Sequence, residues 1–167
     1  MIRILSAAVI AAVPALASAQ LGRSAPEAVA EAVADCWGAV EAQAVSRTAL
    51  AAKGWRAGSI TDSKLGEVET PLEVYGKSGS DVVLMLMSGK SPICTVMSRV
   101  SSAADVSLVA QAIRRRLTAG DPQVNTARSG NDIVFIALPK VAILEATGTK
   151  AKPSVRISVG FQGAERG

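Results

Sequence analysis

Cys36 and Cys94 are the only cysteines in the chain, and a bond between them would decide which parts of the fold must touch. Cys36 sits in a run with helical spacing, and Cys94 sits in a short apolar run with strand character. Joining them would staple a helix to a sheet. The loop so closed is 58 residues long, for which the chain-entropy model gives roughly 4 kcal/mol of stabilisation.

Whether the pair oxidises depends on the compartment. Arg3 gives a short positive start, Ile4 to Leu16 an apolar run, and Ala17-Ser18-Ala19 small residues where a signal peptidase cuts. This order reads as a secretory signal peptide over residues 1–19, cleaved to leave Gln20 first. The run is interrupted by Pro14 and is shorter than the roughly 20 apolar residues a membrane helix needs. The expectation is an exported protein, periplasmic or secreted, with no stable membrane span after cleavage. In an oxidising compartment two isolated cysteines are most simply one disulfide.

Removing 19 of 167 residues leaves 148, enough for one domain with its own core. The domain is expected over residues 20–162, with 163–167 a loose tail. Loss of Arg3 lowers the formal charge from +4 to +3, too weak and too dispersed for a nucleic-acid partner.

Pro26, Val29, Val33, Cys36, Val40 and Ala44 follow Ser24 at helical spacing, and Gly54 is the natural stop. The first helix is therefore predicted from Pro26 to Lys53, with a break near Ser46 and Ser24 as its cap. Val106, Val109, Ala110, Ile113 and Leu117 predict a second helix that opens at Ser102 and ends at Gly120-Asp121-Pro122. Short apolar runs around Leu72–Tyr75, Val82–Met87, Ile93–Val100, Val124–Arg128, Ile133–Leu138, Val141–Ala146 and Ser154–Phe161 predict strands, and the polar loop from Gly58 to Thr70 leaves room for a short strand around Trp55 or Lys64 to Val68. Hairpin-length turns join most of them, so they should be antiparallel. The fold class is α+β: a single domain, an antiparallel sheet of about five to seven strands, and two helices on one face. Residues 77–85 also resemble residues 128–136 in pattern, each running basic, Ser-Gly, polar, Asp, then apolar. That makes an internal α-β-β-β duplication a candidate, beside the plainer reading of two hairpins with the same turn chemistry.

The chain has no histidine. Ser-His-Asp and Cys-His catalysis, and histidine-ligated zinc, are excluded. Gly89-Lys90-Ser91 has the end of a phosphate loop, but Leu84 stands where the upstream glycine is required. No S-x-x-K occurs. Glu67, Glu69 and Glu73 could supply paired carboxylates, and Lys64 or Lys90 could activate a distant serine, yet a solvated loop explains them more simply. No catalytic residue, metal ligand or cofactor is assigned. Arg114, Arg115 and Arg116 form the densest charge cluster and are the candidate contact for an anionic partner.

The functional expectation is a small exported, non-catalytic envelope protein that binds a partner protein or ligand. The alternatives are a self-associating structural subunit, or a hydrolase with a carboxylate or Ser/Lys site. Val82 to Met87 is apolar at every position. If helices cover only one face of its sheet, the other face must meet a partner.

Overall fold

The structure is a computed structural model describing residues 22–58, 61–62, 66–67, 72–89 and 91–162, without the side chains of 61–62 and 66–67. The expected signal peptide, the expected tail after Gln162, and Lys64, Glu69 and Lys90 lie outside the described residues.

Helix α1 spans Pro26–Ala39, and its buried positions Val29, Val33 and Cys36 recur at one-turn spacing. Pro26 stands in the first turn, where its missing N–H costs nothing. The predicted cap differs. Ser24 bonds outward: its N–H donates to the Arg99 carbonyl (3.0 Å), and its hydroxyl oxygen accepts from the Ser98 hydroxyl (2.7 Å). The helix ends earlier than predicted, because Val40 and Val45 pair as a small antiparallel bridge. A separate short helix, α2 (Arg47–Ala52), begins after Ser46, whose hydroxyl oxygen accepts from Ala49 N at 3.3 Å. There are thus three described helices rather than two.

Helix α3 spans Asp105–Gly120 and buries Val109, Ala110, Ala112, Ile113 and Leu117. It opens three residues later than Ser102. The Asp105 carboxylate reaches back to accept from the N–H groups of Ser101 and Ser102, both at 3.0 Å.

The strands are β1 (Trp55–Gly58), β2 (Thr61–Asp62), β3 (Gly66–Glu67), β4 (Leu72–Lys77), β5 (Val83–Met87), β6 (Ile93–Arg99), β7 (Asn125–Ser129), β8 (Asp132–Ala137), β9 (Lys140–Thr149) and β10 (Lys152–Phe161). Strands β2 and β3 pair only with each other. The rest form one antiparallel sheet of eight strands, in the order β1-β4-β5-β6-β10-β9-β8-β7. Eight replaces the expected five to seven. The eighth is β1, the candidate short strand around Trp55, only four residues long. Strands β9 and β10 also run through the predicted 147–153 connection and close on a tight hairpin in which Thr149 faces Lys152. Gly79 (φ 75°) and Gly130 (φ 61°) take the left-handed backbone that the β4–β5 and β7–β8 turns require.

The first half runs α1, α2 and the meander β1-β4-β5-β6, with the β2–β3 pair inserted after β1, and the second runs α3 and the meander β7-β8-β9-β10; the two meanders meet where β6 pairs antiparallel with β10. The matching segments 77–85 and 128–136 do not follow this symmetry. Their offset lays β5 over β8, whereas the symmetry lays β5 over β9.

Helices α1 and α3 pack side by side, and α1 rests on β6 and β10 at the sheet centre. One buried cluster joins their apolar stripes to Leu84, Leu86, Val96, Phe135, Leu144, Val155, Ile157 and Val159 of the sheet. Within it Cys36 of α1 and Cys94 of β6 lie at disulfide distance, with their Cα atoms 5.7 Å apart, inside the range a bridge accepts. Both are fully buried.

Candidate functional site

Side chains alternate across a strand, so each buried row implies a second row on the opposite face. In β5, Leu84 and Leu86 are buried, while Val83 and Met85 are half-exposed and Met87 is 50% exposed. The same alternation runs through β6, where Cys94, Val96 and Ser98 are buried and Ile93, Thr95 and Met97 are not.

The register turns these residues into rows. One row runs Val74, Met85, Thr95, Ser158, Ile143, Val134. The row beside it, toward Arg99, runs Gly76, Val83, Met97, Arg156, Glu145. On the other side Leu72, Met87 and Ile93 are paired in sequence, and Val141 faces Ile136 farther across. All these positions are half-buried or exposed. Among the described residues this face carries no layer of helix. Its only ion pair is Arg156 with Glu145, at 2.8 Å. The pair draws the Glu145 carboxyl below its ordinary range through the hydrogen bond from Arg156. At the centre the Thr95 and Ser158 hydroxyls lie 3.4 Å apart. Three of the chain's four methionines stand here, at 85, 87 and 97. Methionine is flexible and polarisable, and adapts to irregular partners.

The polar clusters lie elsewhere and are mutually satisfied. On the β1 side, Trp55 Nε1 donates to Asp35 Oδ2 (2.9 Å), and Lys77 Nζ donates to Glu31 Oε1 (2.7 Å). The Lys77 ammonium also stands 5.7 Å from the centre of the Trp55 ring, within cation–π range. Lys77 holds the Glu31 carboxyl below its ordinary range. A small depression of about 160 Å³ opens beside this group, lined by Ala28, Glu31, Trp55, Lys77 and the β4–β5 turn.

Glu73 accepts from Arg47 at both carboxylate oxygens, with Nε to Oε2 at 2.8 Å, and from the Tyr75 hydroxyl at 3.0 Å. Arg47 lowers the Glu73 pKa, while burial and then Glu73 raise that of Tyr75. Of the three glutamates considered as acid–base groups, only Glu73 has a described side chain, and it is committed to this bridge. Lys140 donates to the Trp37 carbonyl in the last turn of α1 (2.7 Å), and burial lowers its pKa. Gly89 and Ser91 fall in the β5–β6 hairpin, not between a strand and a helix. Among the described residues, no three acidic or thiol groups are close enough to share a metal ion.

The arginine run does not converge on one point. Successive helical residues are set about 100° apart, and all three of these are exposed. Arg115 pairs with Glu27 at 3.3 Å and shares a shallow depression with Arg116 and Glu31. Arg114 lines a different one, with Gln111, Thr126 and Arg128. The run also lies a turn before the helix end, since α3 continues to Gly120. Trp37 is half-buried against the core, whereas Trp55 is fully enclosed.

Comparison with protein-family models, curated proteins and solved structures finds no match. The site therefore rests on the geometry alone. Sequence reasoning reached one of its strands, Val82 to Met87, through the apolar run. It missed that Val74, Thr95, Ser158, Ile143 and Val134 fall in one row with Met85, because register between distant strands leaves no local pattern.

Proposed function

We propose that this protein is a small exported, non-catalytic binding module that works through the uncovered face of its eight-stranded sheet. The observation that carries the reading is the row from Val74 to Val134, apolar except for Thr95 and Ser158, across six adjacent strands. Monomeric proteins rarely expose apolar patches beyond a few hundred Å². The leader-like start and the buried Cys36–Cys94 pair support an oxidising compartment, and no described helix is long and apolar enough to cross a membrane. The matching order of the two helix-first halves supports a duplicated origin for this broad sheet.

A photo-crosslinking residue at position 85, compared with one at the helix position Gln111, tests the reading in cells. Adducts confined to position 85 are expected. No adduct at 85, or equal labelling at both positions, would refute a working sheet face.

A second reading has its own observation. Arg114 and Arg128 share one depression, which supports a contact for an anionic partner through Arg114 rather than through the whole run. Loss of salt-dependent envelope binding in Arg114→Gln, with Arg115→Gln unchanged, is the expected result.

A further inference from the structure

We infer that the occupant of the open sheet face is a second copy of this chain, packed face to face as a two-sheet sandwich. The inference rests on the proposed working face and names its partner.

Four features point to self-pairing. The first is size. Strands β4, β5, β6, β10, β9 and β8 contribute to the face. At about 4.8 Å per strand and about 6.7 Å between same-face rows, they span roughly 29 Å by 20 Å. Two such faces in contact would bury roughly 1,200 Å² in projection, and side-chain relief adds to this. That reaches the range of specific, stable interfaces.

The second is charge. The face's ion pair, Arg156–Glu145, is internally neutral, and its other charges are of both signs, among them Arg56 opposite Gly76, Arg99 two residues beyond Met97, and Asp132 two residues before Val134. A face meeting its own copy must not carry a single sign of charge, because like charges opposed across a desolvated interface are costly. The middle row carries no charged residue at all. Thr95 and Ser158 at its centre can each donate and accept, so two copies related by a two-fold axis can satisfy one another there.

The third is shape. Two sheets stack about 10 Å apart with their inner side chains interdigitated. A face of Val, Ile, Met and Thr on regular strands is built for another regular sheet. A folded partner with a convex, helical surface would fill it less completely.

The fourth is the protection of the edges. Outer strand β7, Asn125–Ser129, is exposed throughout and carries Arg128, and outer strand β1 is short and carries Arg56. Charged, short edge strands disfavour edge-to-edge extension into fibres. Association then closes as a face-to-face pair, in which the same patch serves both copies.

The test is sedimentation equilibrium of the full, oxidised chain over a wide concentration range, with and without Met85→Asp. A dimer is expected for the unaltered chain. Because a two-fold interface meets each substitution twice, Met85→Asp should weaken dimerisation by at least about 100-fold. Gln111→Asp on α3 should leave it unchanged. Thr95→Arg serves as a second disruptor, and circular dichroism with thiol titration confirms that each variant is folded and oxidised. A photo-crosslinker at position 85 in a mixture of two differently tagged copies should give mixed-tag dimers.

A monomer at every concentration overturns the dimer. If position 85 then still crosslinks to another protein, or the chain binds phosphatidylglycerol vesicles in a Met85-dependent way, the working face stands with a different occupant. Adducts only to the same copy's own terminal residues would assign the face to an internal cover. A monomer with no adduct of any kind overturns both the dimer and the proposed function.

Discussion

Replacing both cysteines with alanine should cost this fold more than any surface change. Cys36 and Cys94 are fully buried at disulfide distance, and a bond between them closes a loop of 58 residues. In the chain-entropy model the missing cross-link frees about 4 kcal/mol of conformational entropy in the unfolded chain. Alanine is the appropriate replacement, because a serine hydroxyl there would be buried among apolar neighbours and add its own penalty. Domains are typically stable by only about 5–15 kcal/mol, so the double variant should remain folded with a much smaller margin. With a urea slope of about 2 kcal/mol per molar, the unfolding midpoint should fall by about 2 M. Trp55, enclosed in the core, reports tertiary packing by fluorescence, and far-ultraviolet circular dichroism reports the sheet. The two transitions should coincide. Reductant should shift the unaltered chain in the same direction and leave the double variant unmoved. A midpoint change below about 0.5 M, or two thiols titratable in the unreduced, denatured protein, would refute a helix-to-sheet staple.

Adjacent residues of β5 should respond oppositely. Leu86→Ala, at 2% exposure, should destabilise by about 2–5 kcal/mol in urea unfolding, whereas Met87→Lys, at 50% exposure, should stay within about 0.5 kcal/mol when measured at concentrations low enough to keep the chain monomeric. Trp55→Phe removes the donor to Asp35 Oδ2 and should lower stability by about 1–3 kcal/mol, read from the same midpoint. Lys77, Arg47 and Arg156 hold the Glu31, Glu73 and Glu145 carboxyls below their ordinary range through hydrogen bonds. A depressed folded-state pKa contributes stability above the ordinary glutamate pKa of about 4.3 and loses it as pH falls through the lower folded value. The urea midpoint should therefore hold from neutral pH to about 5 and decline below about 4.3, and Glu73→Gln should make that decline shallower.

Helix stripes and central strands were legible because their signals are local. Val109, Ile113 and Leu117 fall one turn apart, and Val82 to Met87 is apolar throughout, so α3 and β5 were readable without any tertiary information. The predicted helix from Pro26 to Lys53 does break, and its second piece starts just after Ser46 as expected, but the first piece already ends at Ala39. Its own periodicity continues to Ala44, but the Val40–Val45 bridge competes and wins. The cap at Ser24 failed because a better partner, Ser98, comes from 74 residues away. Strand β1 was legible only as a candidate around Trp55, because Trp55–Gly58 is too short to alternate, and its place is fixed by pairing Trp55 with Lys77. The open face shows the same limit. Each strand's alternation is visible, but whether its outward residues fall opposite one another depends on register. In Arg114–Arg116 the sequence showed adjacency, and helical geometry turned adjacency into divergence.

A sheet of eight strands at about 4.8 Å spacing is nearly 40 Å wide. The two long helices, each about 10 Å across, cover about half of that width on one side and none of it on the other. Stable domains are built from packed layers, because an apolar face left in water forfeits the burial that offsets chain entropy. If the open face were meant for water, alternation would place charges at Val74, Met85, Ile143 and Val134, as it does at Arg156 and Glu145. The chain instead keeps these four positions apolar at a cost in solubility. This half-buried apolar row crosses strands of both halves of the chain, and it is the feature on which the proposed partner rests. In the proposed dimer the covering layer is the same sheet of a second copy, which matches this face in breadth and in regularity.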